Sequence, residues 1–521
     1  EARDAGLYEG ITDNGAGGLS SSLGEMAGEA GGVSIDVGAC PRKYPGLSPW
    51  EVLVSESQER MSLAVAPERI EAFLALARRR GVEATVVGRF EASGRVEIRD
   101  GARTVGLVDL EFLHGGLPTM RLRAEWSPPA IAAAPLPAKA DWTAELLAVL
   151  ADPDVASKEG LVRQYDHEVK AMSIEKPFTG VGRDAPSDGG VLKPRYDSWR
   201  GLTVTHGIAP RLSAEDPEAM ALAAVDEAYR AHIALGGDPD AAVALDNFCW
   251  PDPVESPANP DGARKLGGLV RACRALREAC LAYNLPLVSG KDSMKNDAVA
   301  GGRRISVKPT LLVTLVGIAG DVRKTPSTDL LAAGELLYLV GDGAGHELGG
   351  SVLERVLAAG AAAKTGRPGF SLGAAPRARP LEHRGAYRAL AKAISGRAAR
   401  SVHDLSDGGL AVAAAESCLG GRLGAELRLD GLAEALRARM PAGTPAEAVA
   451  ARLLFSEAPG RLLVAVRAED RERFERSMSG EPCSLVGRSV AEPRLRAFLG
   501  GAAAIDAGLD EIETAFKTPI A

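Results

Sequence analysis

The sequence lacks the features that mark membrane-spanning, nucleic-acid-binding and disulfide-bonded proteins. No apolar stretch approaches the roughly 20 residues that a transmembrane helix needs, so we expect no membrane partner. No lysine–arginine run longer than the three arginines at 78–80 occurs and the formal net charge is −8, which argues against a nucleic-acid partner. The six cysteines include no C-x-x-C pair. This pattern favours reduced thiols in a cytoplasmic protein over a disulfide framework or a zinc site.

The signatures of several enzyme classes are also missing. There is no G-x-x-x-x-G-K-[ST] loop and no protein-kinase glycine loop, so any ATP site must be of another type. No cysteine or serine stands in a nucleophile elbow, so we expect no glutaminase centre. Neither a signal peptide nor an initiator methionine is visible at Glu1. What the chain has is the composition of a multidomain globular protein, with 521 residues, 46% hydrophobic residues and 60 glycines.

The most informative stretch covers residues 401–421. Asp404 follows a short apolar lead, Gly408 and Gly409 come next, and a helix-like run then continues to a second glycine pair. A glycine turn before a helix lets backbone N–H groups approach a phosphate, and a preceding carboxylate can hold the bridging cation. The stretch therefore predicts a magnesium and phosphate site. The alternative is a plain turn with an N-cap.

The same pattern recurs near the start of the chain and predicts an internal duplication. A Ser-Glu pair followed by an arginine (Arg60 and Arg461) and a Val-Gly-Arg triplet come after each turn, in the same order. Roughly 70 residues of the domain precede the second turn but only about ten precede the first, so we expect a truncated first copy and a C-terminal piece of a longer polypeptide. The matched positions around the turns are Asp13, Gly17, Gly18, Leu19 and Glu25 in the first copy and Asp404, Gly408, Gly409, Leu410 and Glu416 in the second.

Apolar periodicity and turn residues predict alternating helices and strands, which is typical of an α/β or α+β layered fold. In the first copy we predict a helix that closes at Met26 and a strand over residues 85–87. Later elements include helices over 217–235 and 263–283 and a strand over 241–245. The predicted segments are a first domain over 1–125, a linker over 126–159, a domain over 160–330 and a domain over 331–521.

Carboxylates at predicted strand ends are the candidate metal ligands. Such groups beside glycine turns suit magnesium bridged to nucleotide phosphates. Glu227 lies in the middle of a predicted helix and needs a cation or partner if that face is buried. The alternative is a solvent-facing glutamate. Five acidic or glycine-rich strand ends are expected in loops: Asp13, Asp188, Asp246, Gly290–Ser293 and Asp404.

Basic and histidine side chains supply further candidates. Lys291 and Lys295 could meet phosphate oxygens as point charges, with exposed lysines as the alternative. His167 and His403 are candidate acid–base groups, with hydrogen-bonded structural histidines as the alternative.

Several longer motifs resemble the synthetase part of phosphoribosylformylglycinamidine synthase, a ligase of purine biosynthesis, over nearly the whole chain. The most specific strings are Ser-Glu-Ser-Gln-Glu-Arg-Met at 55–61 and Ser-Gly-Lys-Asp-Ser-Met at 289–294. The resemblance implies a duplicated aminoimidazole-ribonucleotide-synthetase-like fold, with an N-terminal α/β domain and a C-terminal α+β domain in each half. The first N-terminal domain, with the family's catalytic histidines, is expected to be missing. The other matching motifs are Asp13–Glu25, Arg163–Glu168, Glu347–Ser351 and His403–Leu410.

The resemblance also implies a reaction. ATP phosphorylates the amide oxygen of formylglycinamide ribonucleotide, ammonia derived from glutamine attacks, and phosphate leaves to give the amidine. Because the chain shows no glutaminase nucleophile, a separate glutaminase subunit and a small accessory subunit are implied partners. The fragment alone is expected to be inactive.

The resemblance assigns roles residue by residue. Ala231 stands at an asparagine magnesium ligand of the large form of the enzyme, so one ion of the second site lacks a ligand that the family has. Lys291 stands at an asparagine magnesium ligand of the small form, where a lysine would repel a cation, so the resemblance implies the large-form pattern at this site. The implied ligands of magnesium are Asp13 at the active site and Asp188, Glu227 and Asp404 at a second, non-catalytic nucleotide site. The implied substrate-binding residues are Glu56, Ser57, Gln58 and Ser293, and the implied ATP- or ADP-binding residues are Asp246, Gly290, Ser406 and Ser187.

Two alternatives stay open. One is another ATPase of the wider superfamily, similar to aminoimidazole ribonucleotide synthetase or selenophosphate synthetase. The duplication argues against it, because those enzymes are single-copy homodimers. The other is a non-catalytic scaffold that keeps only a structural nucleotide. For that scaffold, mutation of Asp188 or Asp404 should reduce nucleotide content and thermal stability together.

Overall fold

The computed structural model describes residues 1–130, 133–365, 370–440 and 444–518. The chain divides into two compact units, Glu1–Arg121 and Leu122–Ala521. The finer division of the larger unit into domains over 160–330 and 331–521 stays a prediction. Over the described ranges, no helix combines the length and the apolar content that a bilayer crossing requires.

The smaller unit contains six strands and four helices. The strands form a four-stranded sheet in the order β4-β2-β5-β6 and a separate pair, β1-β3. The strands are β1 (Gly10–Asp13), β2 (Val33–Asp36), β3 (Met61–Ala64), β4 (Gly88–Phe90), β5 (Arg95–Asp100) and β6 (Arg103–Asp109). The helices are α1 (Gly18–Ala30), α2 (Pro49–Val54), α3 (Ile70–Arg79) and α4 (Leu110–Gly115).

The larger unit contains the remaining elements. Its strands are β7 (Ser173–Glu175), β8 (Phe178–Thr179), β9 (Ala185–Pro186), β10 (Gly190–Leu192), β11 (Gly201–Ile208), β12 (Ala242–Cys249), β13 (Leu287–Ser293), β14 (Asp297–Ala300), β15 (Arg303–Ser306), β16 (Thr310–Ala319), β17 (Leu336–Val340), β18 (Ser401–Asp404), β19 (Gly424–Arg428), β20 (Leu462–Val466), β21 (Cys483–Val490), β22 (Arg494–Leu499) and β23 (Ala502–Gly508). Its helices are α5 (Thr143–Leu150), α6 (Glu159–Val162), α7 (Pro217–Ala234), α8 (Gly262–Tyr283), α9 (Val352–Thr365), α10 (Pro380–Ser395), α11 (Gly409–Gly421), α12 (Asp430–Arg437), α13 (Ala446–Phe455), α14 (Arg471–Ser477) and α15 (Leu509–Lys517).

Two sheets organise the larger unit. The first has the order β13-β12-β16-β11-β10-β7, and residues of β11 alternate between buried and less buried positions, as expected for a sheet covered on one face. Helix α7 packs against this sheet, α8 and α10, so it is buried on nearly every side. The second sheet has seven strands in the order β18-β20-β17-β21-β19-β22-β23.

The segment predicted as a linker contributes to the core of the larger unit. Helix α5 lies within it, and Trp142, Leu146, Val149 and Leu150 are fully buried in the cluster that includes α11 and α13. A large aromatic and three aliphatic side chains removed from water stabilise this docking by several kcal/mol, at about 1.5–3 kcal/mol per fully buried large aliphatic side chain.

The element order confirms the internal duplication. In each copy a strand leads through a glycine turn into a helix, a second strand and a helix. A third strand, a helix, three antiparallel or parallel strands and a final helix follow. The first copy reads β1, α1, β2, α2, β3, α3, β4, β5, β6, α4, and the second reads β18, α11, β19, α13, β20, α14, β21, β22, β23, α15, with α12 inserted.

The two copies differ at one strand. In the second copy, β17 lies between β20 and β21 and pairs antiparallel with both. The described part of the first copy contains no counterpart of β17, and its strands therefore separate into the pair β1-β3 and the sheet β4-β2-β5-β6.

Several local predictions are corrected. Helix α1 continues past Met26 to Ala30. Residues 85–87 are not a strand, because their pairing partner is absent, and β4 begins only at Gly88. Asp246 and Gly290–Ser293 lie inside strands β12 and β13 and not in loops after them. The helices over 217–235 and 263–283 are confirmed as α7 and α8.

Candidate functional site

The two predicted turns share one backbone geometry. Gly17 and Gly18 have φ of 81° and 56°, and Gly408 and Gly409 have φ of 77° and 65°. A Cβ atom on Gly18 would lie 2.2 Å from the Ser55 carbonyl oxygen, and one on Gly409 would lie 2.3 Å from the oxygen of its counterpart, Ser456. Both turns therefore require glycine, for left-handed backbone and for close approach.

The amide predicted to meet a phosphate already has an acceptor. Oε1 of Glu457 accepts hydrogen bonds of 2.8 Å from the amides of Gly408 and Val352. Nη2 of Arg211 lies 3.1 Å from Oε2 of the same carboxylate. In the smaller unit Glu56 takes the corresponding place, with Oε1 3.3 Å from the amide of Gly17. Each helix N-terminus is thus capped by a carboxylate of its own unit.

The structure brings three predicted residues of the larger unit together. Asp188, between β9 and β10, and His403 and Asp404, at the end of β18, offer ligand atoms within 4.8 Å of one another. This is the one such group among the described residues. Oδ1 of Asp188 lies 2.6 Å from Nδ1 of His403, and its Oδ2 accepts from the amide of Asp404 at 3.0 Å.

His403 is buried between two carboxylates of this group. Its Nε2 lies 2.9 Å from Oε2 of Glu416 on α11, so carboxylates lie against both ring nitrogens. Burial alone would lower the pKa of His403, but the charge and hydrogen bonds of Asp188 and Glu416 raise it well above its ordinary value. Of the two sequence hypotheses, the structure favours a hydrogen-bonded histidine that neutralises its neighbours.

Glu227 joins the group through Ser406, so the solvent-facing alternative for Glu227 is wrong. Oγ of Ser406 lies 2.8 Å from Oε1 of Glu227 and 2.9 Å from Oδ2 of Asp404. Its single hydroxyl proton can satisfy only one of these oxygens. The other contact needs a proton on Glu227 or a cation. Burial and the charge of Asp404 raise the pKa of Glu227 to about 8, consistent with that proton.

A guanidinium missed by the sequence analysis completes the site. Arg230, one turn after Glu227 on α7, is 2% exposed. Its Nη2 donates to Oδ2 of Asp404 and to Oγ of Ser406, both at 3.1 Å. Nη1 donates to Asp226 at 2.5 Å. The available signal was the Asp-x-x-x-Arg spacing within a helix of small apolar residues, where a buried charge must be paired.

Asp226 is the most heavily hydrogen-bonded carboxylate of the site. Besides Arg230, it accepts from the hydroxyls of Tyr283 at 2.5 Å and Tyr387 at 3.0 Å, and from the amide of Gly460 at 3.0 Å. Nδ1 of His383 lies 2.7 Å away. Asp226 therefore fixes Arg230 to helices α8 and α10 and to the loop before β20.

These residues fit a magnesium ion. Glu227, Ser406 and Asp404 offer hard oxygen atoms of the kind Mg²⁺ takes, and an ion between the two carboxylates would replace the proton that Glu227 otherwise needs. His403 and Arg230 already neutralise part of the negative charge of the carboxylates. The charge that remains suits a small number of bound cations. Asp188 lies beside this set.

The other predicted residues of the larger unit are Asp246 on β12, Gly290 and Ser293 on β13, and Ser187 in the loop between β9 and β10. Asp246 and Gly290 are neighbours across β12 and β13, and a Cβ atom on Gly290 would lie 2.7 Å from Oδ1 of Asp246. Ser293, at the end of β13, accepts from the amide of Trp250 at 2.8 Å through its carbonyl. Ser187 donates through Oγ to Glu175 at 3.0 Å.

The lysines and His167 remain candidates without structural support. Lys291 and Lys295 are not buried, and the latter has a φ of 60°. Nδ1 of His167 lies 3.0 Å from the carbonyl oxygen of Tyr165, a local contact of the structural kind.

The predicted residues of the smaller unit are at its surface. Asp13 ends β1 and accepts from the amide of Gly15 at 2.8 Å through Oδ1. Glu56, Ser57 and Gln58 are exposed between α2 and β3. Their roles as metal and substrate ligands stay predictions.

Family comparisons match most of the chain. Residues 1–101 and 332–500 match the family described as "AIR synthase related protein, C-terminal domain". Residues 186–319 match "AIR synthase related protein, N-terminal domain". One family description thus matches both copies of the duplication, and the other matches the stretch between them.

Curated relatives carry one common name. The chain is 32% identical to "Phosphoribosylformylglycinamidine synthase subunit PurL" of Rhodospirillum rubrum over 92% of this chain and 59% of the relative. It is 34% identical to the protein of the same name from Moorella thermoacetica over 90% of this chain and 58% of the relative. The chain therefore spans less than two thirds of the length of these relatives.

Solved structures share the fold. "Structure of PurLQS from Thermotoga maritima" matches with a TM-score of 0.59 at 20% identity, over 94% of this chain and 65% of that chain. "T. maritima PurL complexed with ADP" matches with a TM-score of 0.58 at 21% identity, over 94% and 65%. With the family match over both copies of the duplicated domain, these findings establish that the chain belongs to the AIR synthase-related family.

Proposed function

We propose that the chain is part of a cytoplasmic phosphoribosylformylglycinamidine synthase. The whole enzyme would convert formylglycinamide ribonucleotide to its amidine, with ATP and with ammonia from glutamine. The observation that carries the proposal is the identity of 32% and 34%, over 92% and 90% of this chain, with subunits of that name. The carboxylates around Asp404 are consistent with the proposal, because they can hold the cations that neutralise the charge of a nucleoside triphosphate.

The proposed reaction consists of a phosphoryl transfer to the amide oxygen followed by a substitution at the amide carbon. The amide oxygen of the substrate takes the terminal phosphoryl group of ATP, ammonia adds to the activated carbon, and the carbon–oxygen bond to phosphate breaks. ADP, phosphate and the amidine are the products. Positioning and charge neutralisation supply the rate enhancement in such a reaction.

We assign the roles as follows. Bound Mg²⁺ would neutralise phosphate charge at two places, with Asp13 as a ligand at the active site and Asp188, Glu227 and Asp404 at a second nucleotide site. Ammonia would come from a glutaminase subunit, and a small accessory subunit and polypeptide equivalent to the remaining length of the relatives would complete the assembly. The substrate ligands would be Glu56, Ser57, Gln58 and Ser293, and the nucleotide ligands Asp246, Gly290, Ser406 and Ser187.

The first test identifies the nucleotide. The purified chain is denatured and the released nucleotide is identified by mass. We expect ADP or ATP from the wild type and almost none from Asp404→Asn or Asp188→Asn. Glu469→Gln is the control, because Glu469 is 71% exposed at its side chain and away from the group. Full nucleotide retention in both aspartate variants would refute the second site.

The second test separates enzyme from scaffold. The chain is assayed for ADP release that depends on formylglycinamide ribonucleotide, alone and with the rest of the synthetase supplied in trans. We expect no turnover alone, and turnover on completion that Glu56→Gln abolishes. Turnover by the chain alone would refute the prediction of inactivity. A nucleotide-containing assembly without substrate-dependent ADP release would favour the scaffold, and release dependent on another acceptor would favour a different ATPase of the superfamily.

A further inference from the structure

One turn has the same geometry in both copies of the duplication. We call residues 55–60, which precede β3, and residues 456–461, which precede β20, the arginine turns. Each begins with a serine and ends with an arginine, and Nη2 of the arginine donates to the carbonyl oxygen of the serine at 2.5 Å. Position by position, Glu59 in the first arginine turn therefore corresponds to Gly460 in the second.

Both of these residues have a left-handed backbone. φ is 62° at Glu59 and 85° at Gly460. A Cβ atom on Gly460 would lie 2.5 Å from the ring of His383, whereas Glu59 is exposed. Because the conformation is the same in two different surroundings, the turn itself requires it. Glycine adopts this conformation without a steric cost, and any other side chain at the position stores strain.

Three of the other left-handed side chains stand where helices end. Asn284 and Arg422 are the C-cap residues of α8 and α11, and Arg397 follows the C-cap of α10. Left-handed residues at such positions close a helix through hydrogen bonds. Glu59 is at no helix end, so its strain needs another explanation. The remaining four lie outside the duplicated parts of the chain, where no second copy shows which residue the backbone prefers: Lys170, Ala171, Arg183 and Lys295.

No contact within the chain explains the side chain of Glu59. It makes no hydrogen bond or ion pair with any residue that the structure describes. It lies beside the predicted site of the smaller unit, because the carbonyl of Arg60 accepts from the amide of Asn14 at 3.0 Å and Met61 pairs with Asp13. Strained residues of this kind cluster at ligand-binding sites. A carboxylate that strains the backbone and contacts nothing in the free chain is therefore a candidate ligand contact.

We propose that Glu59 contacts the substrate of the synthase as a hydrogen-bond acceptor for a neutral donor group. This inference rests on the proposed function. An ionised carboxylate accepts hydrogen bonds and repels a phosphate. Formylglycinamide ribonucleotide offers ribose hydroxyls and amide N–H groups as donors, so Glu59 would bind one of these groups and not the phosphate. The rigid arginine turn would hold the carboxylate in position before the substrate arrives, which lowers the entropic cost of binding.

The first measurement tests the strain. Glu59→Gly and Glu59→Ala remove the same carboxylate, but only glycine relieves a left-handed backbone. In the full chain we expect Glu59→Gly to melt a few degrees above Glu59→Ala and not below the wild type. Glu83→Gly and Glu83→Ala are the matched pair, because Glu83 is exposed in a loop of the same unit and has no positive φ. There the order should reverse, since glycine makes the unfolded chain more flexible.

The second measurement tests the contact. The full chain is completed with the rest of the synthetase in trans, and ADP release is followed at varied concentrations of formylglycinamide ribonucleotide. We expect Glu59→Gly to raise the KM for this substrate at least about tenfold, with smaller changes in kcat and in the KM for ATP. Glu59→Gln should have an intermediate KM, because its amide keeps one acceptor oxygen. Glu83→Gln should behave as the wild type. A more stable variant that binds substrate more weakly is not expected of a purely structural residue.

The outcomes that would overturn the proposal differ from one another. Glu59→Gly melting below Glu59→Ala would show that the turn stores no strain. An unchanged KM in the Glu59 variants, in an assembly that Glu56→Gln inactivates, would remove Glu59 from the substrate site and leave the proposed function standing. A higher requirement for Mg²⁺ with an unchanged substrate KM would assign the carboxylate to a cation. A completed wild-type assembly without substrate-dependent ADP release would refute the proposed function and this inference with it.

Discussion

Nη2 of Arg230 lies 3.1 Å from Oδ2 of Asp404, so a protein cation neutralises the acidic group from within α7. The guanidinium also binds Asp226, which is fully buried. Removing two carboxylates and an arginine from water costs several kcal/mol per ion, and this cost is offset only when the hydrogen bonds are complete. The ion pairs of Arg230 with Asp226 and Asp404 are therefore needed for the site to stay folded when no cation is bound.

Replacing the buried guanidinium should destabilise the larger unit. Arg230→Met leaves Asp226 and Asp404 without their cation, and we expect a loss of about 3–5 kcal/mol in the free energy of unfolding. Chemical denaturation followed by fluorescence measures it. The matched control is Arg388→Met, because Arg388 pairs with Asp240 at the surface and such pairs contribute at most about 1 kcal/mol. Equal losses in the two variants would contradict the proposed role of Arg230.

The contribution of Asp226 should depend on pH. Burial alone would raise the pKa of Asp226, but the charges of His383 and Arg230 and the Tyr283 hydroxyl hold it well below its ordinary value. A carboxyl with a lowered folded-state pKa stabilises the protein above its unfolded-state pKa, about 3.9, and loses that stability as the pH falls through the folded-state value.

The variant Asp226→Asn tests this dependence. The difference in melting temperature between wild type and variant should be largest near pH 7 and should shrink below about pH 4. Glu469→Gln serves as a control with no such trend. A difference that stays constant from pH 7 to pH 3 would contradict the assignment.

The glycine turns should not tolerate a side chain. Gly409→Ala combines a φ of 65° with a Cβ atom 2.3 Å from the Ser456 carbonyl oxygen. Left-handed backbone alone costs about 1–3 kcal/mol for a non-glycine residue, so we expect a loss of at least about 3 kcal/mol once the clash is added. Gly18→Ala should have a similar effect in the smaller unit.

The matched control for the turns is Gly431→Ala. Gly431 lies in α12 and a Cβ atom there would meet nothing within 4 Å. We expect a gain of roughly 0.5–1 kcal/mol from the higher helix propensity of alanine. Thermal denaturation compares the variants. A Gly409→Ala protein as stable as Gly431→Ala would show that the turn geometry is not required.

The two copies fill the same core position with different side chains, polar in the smaller unit and apolar in the larger one. Whether the polar side chains act together can be tested by changing them singly and in combination. In the smaller unit, Oδ1 of Asn14 accepts from the hydroxyls of Ser22 and Ser62, the latter at 2.8 Å. The corresponding residues of the larger unit are Leu405, Ala413 and Leu463, all buried. The hydroxyls of Ser22 and Ser62 lie 3.1 Å apart, so they can keep one hydrogen bond between them when the Asn14 oxygen is lost. Asn14→Leu alone therefore leaves one buried hydroxyl proton without an acceptor, at a cost of about 1–3 kcal/mol.

Changing all three residues should recover stability. We compare the triple variant Asn14→Leu, Ser22→Ala, Ser62→Leu with the three single variants. Its loss in the free energy of unfolding should be smaller than the sum of the three single losses by at least about 1 kcal/mol. Denaturant unfolding of the smaller unit measures the coupling. Additive effects would show that the three side chains do not act as one network.

Much of the fold was predictable because it depends on local pattern. The glycine pairs, the capped helices α7 and α8 and the repeated anchors around Arg60 and Arg461 are short-range signals, and the structure confirms the duplication that they predict. The nucleotide and substrate roles of Asp13, Glu56 and Asp246 rest on resemblance, and the structure alone does not test them.

By itself, then, the sequence determined the duplication, the two turns that only glycine can form, and the family. Each of these depends on short motifs, or on motifs that recur in the same order along the chain. Only the tertiary structure decided that residues 85–87 do not form a strand, that Glu457 caps the amide of Gly408, and that Arg230 and His403 neutralise Asp404 and Asp188. The physical reason is the same in each case. Strand pairing and the compensation of buried charge depend on partners far away in the chain, and local propensity carries no information about whether those partners are present.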